Sequence, residues 1–254
     1  MSQILLEARA LRKDFAGLVV VDGVDLQVQE GTVHALIGPN GAGKTTTFNL
    51  LTKFIPLSSG QLLYKGQDIT RYRVDAVAKL GIVRSFQISS IFASLSLAEN
   101  LQIALQLHVG ESYVFWKRKT ISNWMSDRVE ELLAQVGLSG DAHLIAGEVS
   151  YGKRRALEIA TSLALEPELL LLDEPMSGLG FEDIERISSI IEGFKGQKTV
   201  LMVEHNLSVV SAISDQITVL ARGKKIAEGN YETISQNPEV QNAYIGKVYK
   251  DTHA

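Results

Sequence analysis

The chain is predicted to be an α/β protein with a largely parallel sheet, an N-terminal run of strands and an inserted helical arm. Three observations predict it. Short apolar runs such as Val33 to Ile37, Leu169 to Leu172 and Thr199 to Val203 alternate with segments of helical periodicity, the pattern of strands buried on both faces by crossover helices. The first 37 residues read almost entirely as strand. From about Ser89 to Ser150 the apolar spacing becomes helical. At 254 residues and 45% hydrophobic content the chain can bury one substantial core, and a single large domain with an insertion fits that length.

In chain order, Ile4-Leu5-Leu6-Glu7-Ala8-Arg9 and Val19 to Val28 read as strands, followed by a turn at Glu30-Gly31 and the buried run to Ile37. Thr45 to Leu51 is a plausible helix, and Gly60 to Gly66 a further strand and turn. Ser96-Leu97-Ala98-Glu99 has the form of a capping box, in which the Ser and Glu side chains satisfy each other's backbone N–H groups at a helix start. Val129, Leu132, Leu133 and Val136 form an i, i+3, i+4, i+7 stripe ended by Gly137, a packing face with its C-terminal stop. A helix then runs to Ala164, a strand over Leu169 to Leu172, and a helix over Glu182 to Glu192 with Ile184, Ile187 and Ile191 inward. The strand Thr199 to Val203, a short helix, the strand Gln216 to Ala221 and a helical tail after Pro238 complete the chain.

Charge and composition narrow the function. The net charge of −4, 25 basic against 29 acidic residues, gives no basic excess to hold a polyanion, and nucleic acid is not expected as a partner. Cysteine is absent, which excludes disulfides and thiolate chemistry. Charge breaks the N-terminal apolar run early, so no signal peptide is expected. No stretch approaches the roughly eighteen continuous apolar residues that span a bilayer, so a membrane role requires a partner.

Gly38-Pro39-Asn40-Gly41-Ala42-Gly43-Lys44-Thr45 fits G-x-x-x-x-G-K-[ST] between a strand and a helix. Backbone N–H groups of such a loop wrap phosphate oxygens because no Cβ blocks their approach, and the helix adds the positive end of its dipole. Lys44 is placed to reach the β- and γ-phosphates and Thr45, with Thr46 beside it, to put a hydroxyl on Mg²⁺. Leu169 to Leu172 leads into Asp173-Glu174-Pro175, delivering two carboxylates at a strand end where ligands of open α/β sheets sit. Asp173 suits the Mg²⁺ shell, and Glu174, pointing the other way by strand alternation, suits polarisation of an attacking water. Val149-Ser150-Tyr151-Gly152-Lys153 combines a Ser, a Gly and a helix start, a second anion-binding end. One γ-phosphate has no need of two such ends in one chain, unless the second is presented to a neighbour's nucleotide.

These segments together resemble the ATP-binding cassette family, over essentially the whole chain. Gly38 to Thr45 is similar to its Walker A loop, Leu169 to Glu174 to Walker B and Ser150-Tyr151-Gly152 to its signature. The resemblance implies a P-loop NTPase core of RecA type with a mainly parallel sheet over 1–87 and 156–254, an N-terminal antiparallel β subdomain, 88–155 as the inserted helical arm and 1–254 as one domain. It implies ATP and Mg²⁺ as ligands and a head-to-tail dimer that sandwiches each nucleotide between one chain's Walker A loop and the other's signature. Gln87 resembles the Q-loop glutamine, near metal and water; His205 resembles the switch histidine, facing the γ-phosphate; Phe15 occupies the place of the adenine-stacking aromatic. Four positions depart from the pattern: Val149, Tyr151 and Lys153 replace the signature Leu, first Gly and Gln, and Gly180 stands where a D-loop carboxylate is usual.

Gly81 to Gln87, Leu97-Ala98-Glu99-Asn100-Leu101 and the ending Asn242-Ala243-Tyr244-Ile245-Gly246 resemble bacterial importers of branched-chain and other hydrophobic amino acids. That resemblance implies ATP hydrolysis at the cytoplasmic face of the inner or plasma membrane, two transmembrane permeases, a second cassette in a hetero- or homodimer, and, indirectly, a periplasmic or extracellular solute-binding protein. Urea, amide and lipopolysaccharide transporters share parts of the pattern, and a non-transport cassette ATPase is the remaining alternative. The segment Tyr113 to Trp124, with Phe115, Trp116, Lys117, Arg118 and Lys119, suits either a permease or lipid headgroups, or a solvated helix pair with an aromatic anchor.

Overall fold

The computed structural model describes residues 3–85, 91–109 and 118–245. Strands β1 (Ile4–Phe15), β2 (Leu18–Gln29), β4 (Ser59–Tyr64) and β5 (Gln67–Asp68) form an antiparallel sheet in the order β2-β1-β4-β5. A second sheet runs β10-β9-β3-β8-β7-β6, built from β3 (Val33–Ile37), β6 (Ile82–Arg84), β7 (Leu169–Asp173), β8 (Thr199–Val203), β9 (Gln216–Ala221) and β10 (Lys224–Gly229). All its pairings are parallel except β9 with β10.

β7 explains why the second sheet is visible as apolar runs. Leu169 and Leu171 belong to the core beneath the antiparallel sheet, whereas Leu170 and Leu172 belong to the core under the helices, and all four are completely buried. Alternation therefore produces no polar face, because both faces are covered. The first core is closed by α1 (Lys44–Leu51) through Phe48, Leu50 and Leu51. The second is closed by α3 (Leu97–Val109), α4 (Arg118–Gln135), α5 (Tyr151–Leu163), α6 (Phe181–Glu192) and α7 (Leu207–Ile213).

Local signals set the helix ends as expected. Ser96 N–H donates to Glu99 Oε2 at 2.8 Å while Glu99 N–H donates to Ser96 Oγ at 3.2 Å, the reciprocal capping box at the start of α3. The α4 stripe Val129, Leu132, Leu133 and Val136 is buried, and Gly137 takes φ +68, which lets Leu138 N–H return to Leu133 O at 2.7 Å. Because β6 pairs directly with β7, the chain leaves the sheet after Arg84, passes through the helical layer and returns by α5. The short elements α2 (Val74–Lys79), β6, β10 and α8 (Tyr231–Ser235) are additions to the sequence reading; α9 (Pro238–Ile245) is the expected tail.

A buried histidine gives the sheet a pH dependence. His34 on β3 is fully buried, and its Nε2 lies 2.8 Å from Thr218 Oγ1 on β9. Burial pushes its pKa down to about 4, opposed by the nearby Glu228 carboxylate. The unfolded chain binds this proton near pH 6.5 and the folded chain only near 4, so stability is lost as pH falls through that window and levels off below it. Linkage sets the loss at about 3 kcal/mol. Denaturant titrations at pH 7 and 4.5 on the parent and His34→Gln should show the parent losing about 2 kcal/mol more than the variant; equal losses would refute the assignment.

Candidate functional site

The glycine-rich loop and the two strand ends beside it meet at one edge of the parallel sheet. In the order β3-β8-β7, neighbouring strands deliver Gly38–Thr45, Glu204–His205 and Asp173–Glu174 from their C-terminal ends, where open α/β sheets bind ligands.

The loop's conformation requires its glycines. A Cβ on Gly38, at φ +153, would sit 2.2 Å from Leu220 O on β9, and one on Gly43, at φ +95, would sit 2.9 Å from Val20 O on β2. Gly223 N–H holds Ala42 O at 3.0 Å. The loop is thus clamped between both sheets, and any side chain at either glycine would displace backbone. Lys44 is 8% exposed and its Nζ donates to Gly38 O at 2.8 Å and Pro39 O at 3.2 Å, which fixes the ammonium inside the loop. Thr45 opens outward at the start of α1 with Thr46 partly covered, and Pro39, Asn40 and Gly41 form the loop's accessible rim. Phe15 is 45% exposed at the end of the β1–β2 hairpin, three residues from Leu18 on the strand that backs Gly43.

Asp173 is buried, with Oδ2 held 2.5 Å from Arg84 Nη2 and Oδ1 without a hydrogen-bond partner among the described residues. A buried carboxylate oxygen without a partner is costly, and a hydrated Mg²⁺ would satisfy it. Among the described residues no group of three or more His, Cys, Asp or Glu is placed to hold a metal. The Asp173 carboxylate fits Mg²⁺, which binds through one or two protein oxygens and otherwise keeps water and phosphate ligands.

Glu174 requires a correction. Strand alternation does not orient it: β7 ends at Asp173, and Glu174 takes a left-handed φ of +46. Such a backbone in a non-glycine residue persists where its surroundings over-determine it. Here Glu174 N–H donates to Val203 O at 3.0 Å, and Glu174 O accepts from Arg155 Nη2 at 2.8 Å. Arg155, buried in the first turns of α5, also donates to Asp173 O at 3.1 Å and Pro175 O at 3.0 Å. The sequence reading missed this residue, as it missed Arg84 and Glu204.

Ser150 caps α5 through an Oγ that accepts from Lys153 N–H at 3.3 Å. Gly152 is backed by its own chain: a Cβ there would lie 1.9 Å from Asp183 Oδ1 on α6. Gly152 therefore sits against the segment that follows Glu174. Gly180, at the start of α6, has extended backbone and open space around it. His205 protrudes after β8, its side chain 58% exposed. Gln87 lies outside the described residues, as do 113–117 of the aromatic segment, whose last residue, Trp124, is 42% exposed.

An apolar groove of about 270 Å³ opens beside this edge, lined by Phe54, Val74, Val77, Phe92, Ile103 and Leu165 among others. Arg84 forms part of its wall, with the guanidinium 5.4 Å from the Phe54 ring centroid. The groove thus lies one side chain from Asp173.

The sequence matches the ABC transporter family over residues 21–177 and the family described as branched-chain amino acid ATP-binding cassette transporter over 224–250. It is 37% identical to the high-affinity branched-chain amino acid transport ATP-binding protein BraF of Pseudomonas aeruginosa, covering 97% of this chain and 100% of that protein. Identity to the corresponding protein LivG of Escherichia coli is 36% with the same coverage. The lipopolysaccharide export system ATP-binding protein LptB of Escherichia coli is 32% identical, over 96% of this chain and 98% of LptB. Among solved structures, an ATP-binding cassette of an ABC transporter in its ADP conformation superposes with TM-score 0.82 at 30% identity, covering 96% of this chain and 99% of that one.

Proposed function

The chain belongs to the ABC transporter family, and on that premise we propose that it is the Mg²⁺-dependent ATPase subunit of an importer for branched-chain or other hydrophobic amino acids. The observation that carries the import reading is likeness to the branched-chain proteins over the whole chain, extending into residues 224–250. The ATPase chemistry is supported by the convergence of Lys44, Thr45, Asp173, Glu174 and His205 at one sheet edge.

In this reading the amides from Gly38 to Thr46 and the Lys44 ammonium bind the phosphates, and Phe15 stacks on the adenine. Thr45, Asp173 and Gln87 would hold Mg²⁺, which when bound would supply positive charge against the nucleotide's phosphates. Glu174 accepts a proton from the attacking water, and His205 orients that water against the γ-phosphate. Ser150 and Gly152 close on the nucleotide of a second cassette, so hydrolysis requires a head-to-tail dimer, homomeric or heteromeric. Residues 88–155 serve as the arm through which closure reaches the permeases, and the Phe54–Phe92 groove beside Asp173 is where a permease segment docks. Among the described residues no helix is long and apolar enough to cross a membrane. In this reading the chain works at the cytoplasmic face, held there by two permeases, with a solute-binding protein on the far side selecting the solute.

Affinity purification of the tagged chain from gently solubilised native membranes tests this. Two polytopic permeases and a second cassette are expected by mass spectrometry. Lipopolysaccharide-export components would transfer the chain to the reading that the LptB likeness favours, and recovery in the soluble fraction alone would remove transport while leaving the ATPase.

A further inference from the structure

Glu204 is a completely buried carboxylate for which the ATPase reading has no use. Its neighbours in sequence and on the adjoining strand, Val203 and Leu36, are core residues. A carboxylate in such a place is strongly unfavourable unless its oxygens are hydrogen-bonded. Among the described residues, its carboxylate oxygens accept from backbone N–H groups of the two loops that carry the reacting residues. Oε1 accepts from Met176 N–H at 2.9 Å, two residues after Glu174. Oε2 accepts from His205 N–H at 3.0 Å and Asn206 N–H at 3.3 Å.

We propose that Glu204 is a positioning residue that sets His205 against Glu174, by locking the loop after β8 to the loop after β7. This rests on the roles given above to His205 and Glu174. The loop is fixed from both sides. Behind it Glu204 N–H donates to Leu36 O at 3.3 Å; ahead of it Asn206 Oδ1 accepts from Ser208 and Val209 N–H and starts α7. His205 thus has an exposed ring on an over-determined backbone, with Nδ1 4.0 Å from Glu204 Oε2. Such a frame lets the ring meet a γ-phosphate in one place, although the ring itself is in water. Reacting groups misplaced by about 1 Å lose on the order of a hundredfold in rate, whereas binding elsewhere on the nucleotide is unaffected.

Two variants separate geometry from charge. Glu204→Gln keeps the volume, but its amide offers one acceptor oxygen and one NH₂, so either Met176 N–H or the His205–Asn206 pair faces a donor. Glu204→Asp keeps the charge but is one methylene too short to reach both loops. In the copurified complex both should lower kcat about tenfold and leave KM for ATP within about twofold, the split expected when only the reacting geometry is disturbed. The decisive comparison is Glu204→Gln in a His205→Ala background: a residue acting through His205 should slow that enzyme no further. Wild-type kcat in the two single variants, or losses that multiply in the double variant, would overturn the proposal. If His205→Ala itself turned over normally, the role of His205 would fall and this inference with it, while Glu174→Gln would still test the ATPase independently.

Discussion

Glu174→Gln should bind ATP with the parent's affinity, turn it over at least about a hundredfold more slowly and accumulate as a nucleotide-bound dimer. The magnitude follows from removing a general base, which contributes typically 10²- to 10⁴-fold. That the loss should be confined to turnover follows from the structure. The unusual feature of this residue is its backbone: φ is +46, N–H is held by Val203 O and C=O by Arg155. Glutamine keeps the backbone, the volume and both of those hydrogen bonds, so only the proton acceptor is lost. Fluorescent-nucleotide binding, single-turnover hydrolysis and light scattering on one preparation separate the three quantities. Retained hydrolysis would place the general base elsewhere, and a parallel fall in ATP affinity would make Glu174 a structural residue. Arg155 provides a graded comparison, because shortening it to Lys removes the fork that holds three successive carbonyls and leaves Glu174 present but less well placed.

What the sequence discloses here is what local periodicity can carry. β3, β7 and β8 are buried on both faces and so appear as unbroken apolar runs; the capping box at Ser96 and the stripe ending at Gly137 fall where their chemistry puts them. The loop from Gly38 to Thr45 is legible because its Gly, Lys and Thr recur at a fixed short spacing, although the backbone that makes Gly38 and Gly43 necessary, Leu220 O and Val20 O, lies elsewhere in the chain. β10 was not legible, since none of its residues is fully buried and its pattern has no apolar face. β6 has three residues, too few for a period. Glu174 shows the other limit: strand alternation predicts its direction only while the strand lasts, and β7 stops one residue earlier. The ties that organise the site lie beyond any local window. Arg84 reaches Asp173 across 89 residues, Glu204 reaches Met176 across 28 and Arg155 reaches Glu174 across 19. A lone Arg or Glu in sequence reads as a surface charge, and only the fold shows that Arg155 and Glu204 are buried, that Arg84 is partly so, and what each of them holds.

Lys44→Ala should abolish tight ATP binding while the fold survives. The ammonium is already inside the loop, 8% exposed and held by Gly38 O and Pro39 O, so little ordering of this side chain remains to be done when phosphate arrives. Charge-assisted hydrogen bonds of this kind are each worth about 1.5–3 kcal/mol. Losing those to two phosphates should therefore weaken ATP by at least a hundredfold, with a smaller loss for AMP, which lacks both. The loop itself is clamped by Gly223 N–H on Ala42 O and by the packing of Gly38 and Gly43 on Leu220 and Val20, contacts the substitution leaves in place. Circular dichroism and thermal unfolding should accordingly remain near the parent's. Lys44→Arg sharpens the test, because the guanidinium keeps the charge but its planar fork is too large for a space that holds a single ammonium between two carbonyls. Weak ATP binding in both variants would mean that the loop recognises phosphate through shape and charge together. Unchanged affinity in Lys44→Ala would remove this loop from the nucleotide site, whatever its sequence resembles.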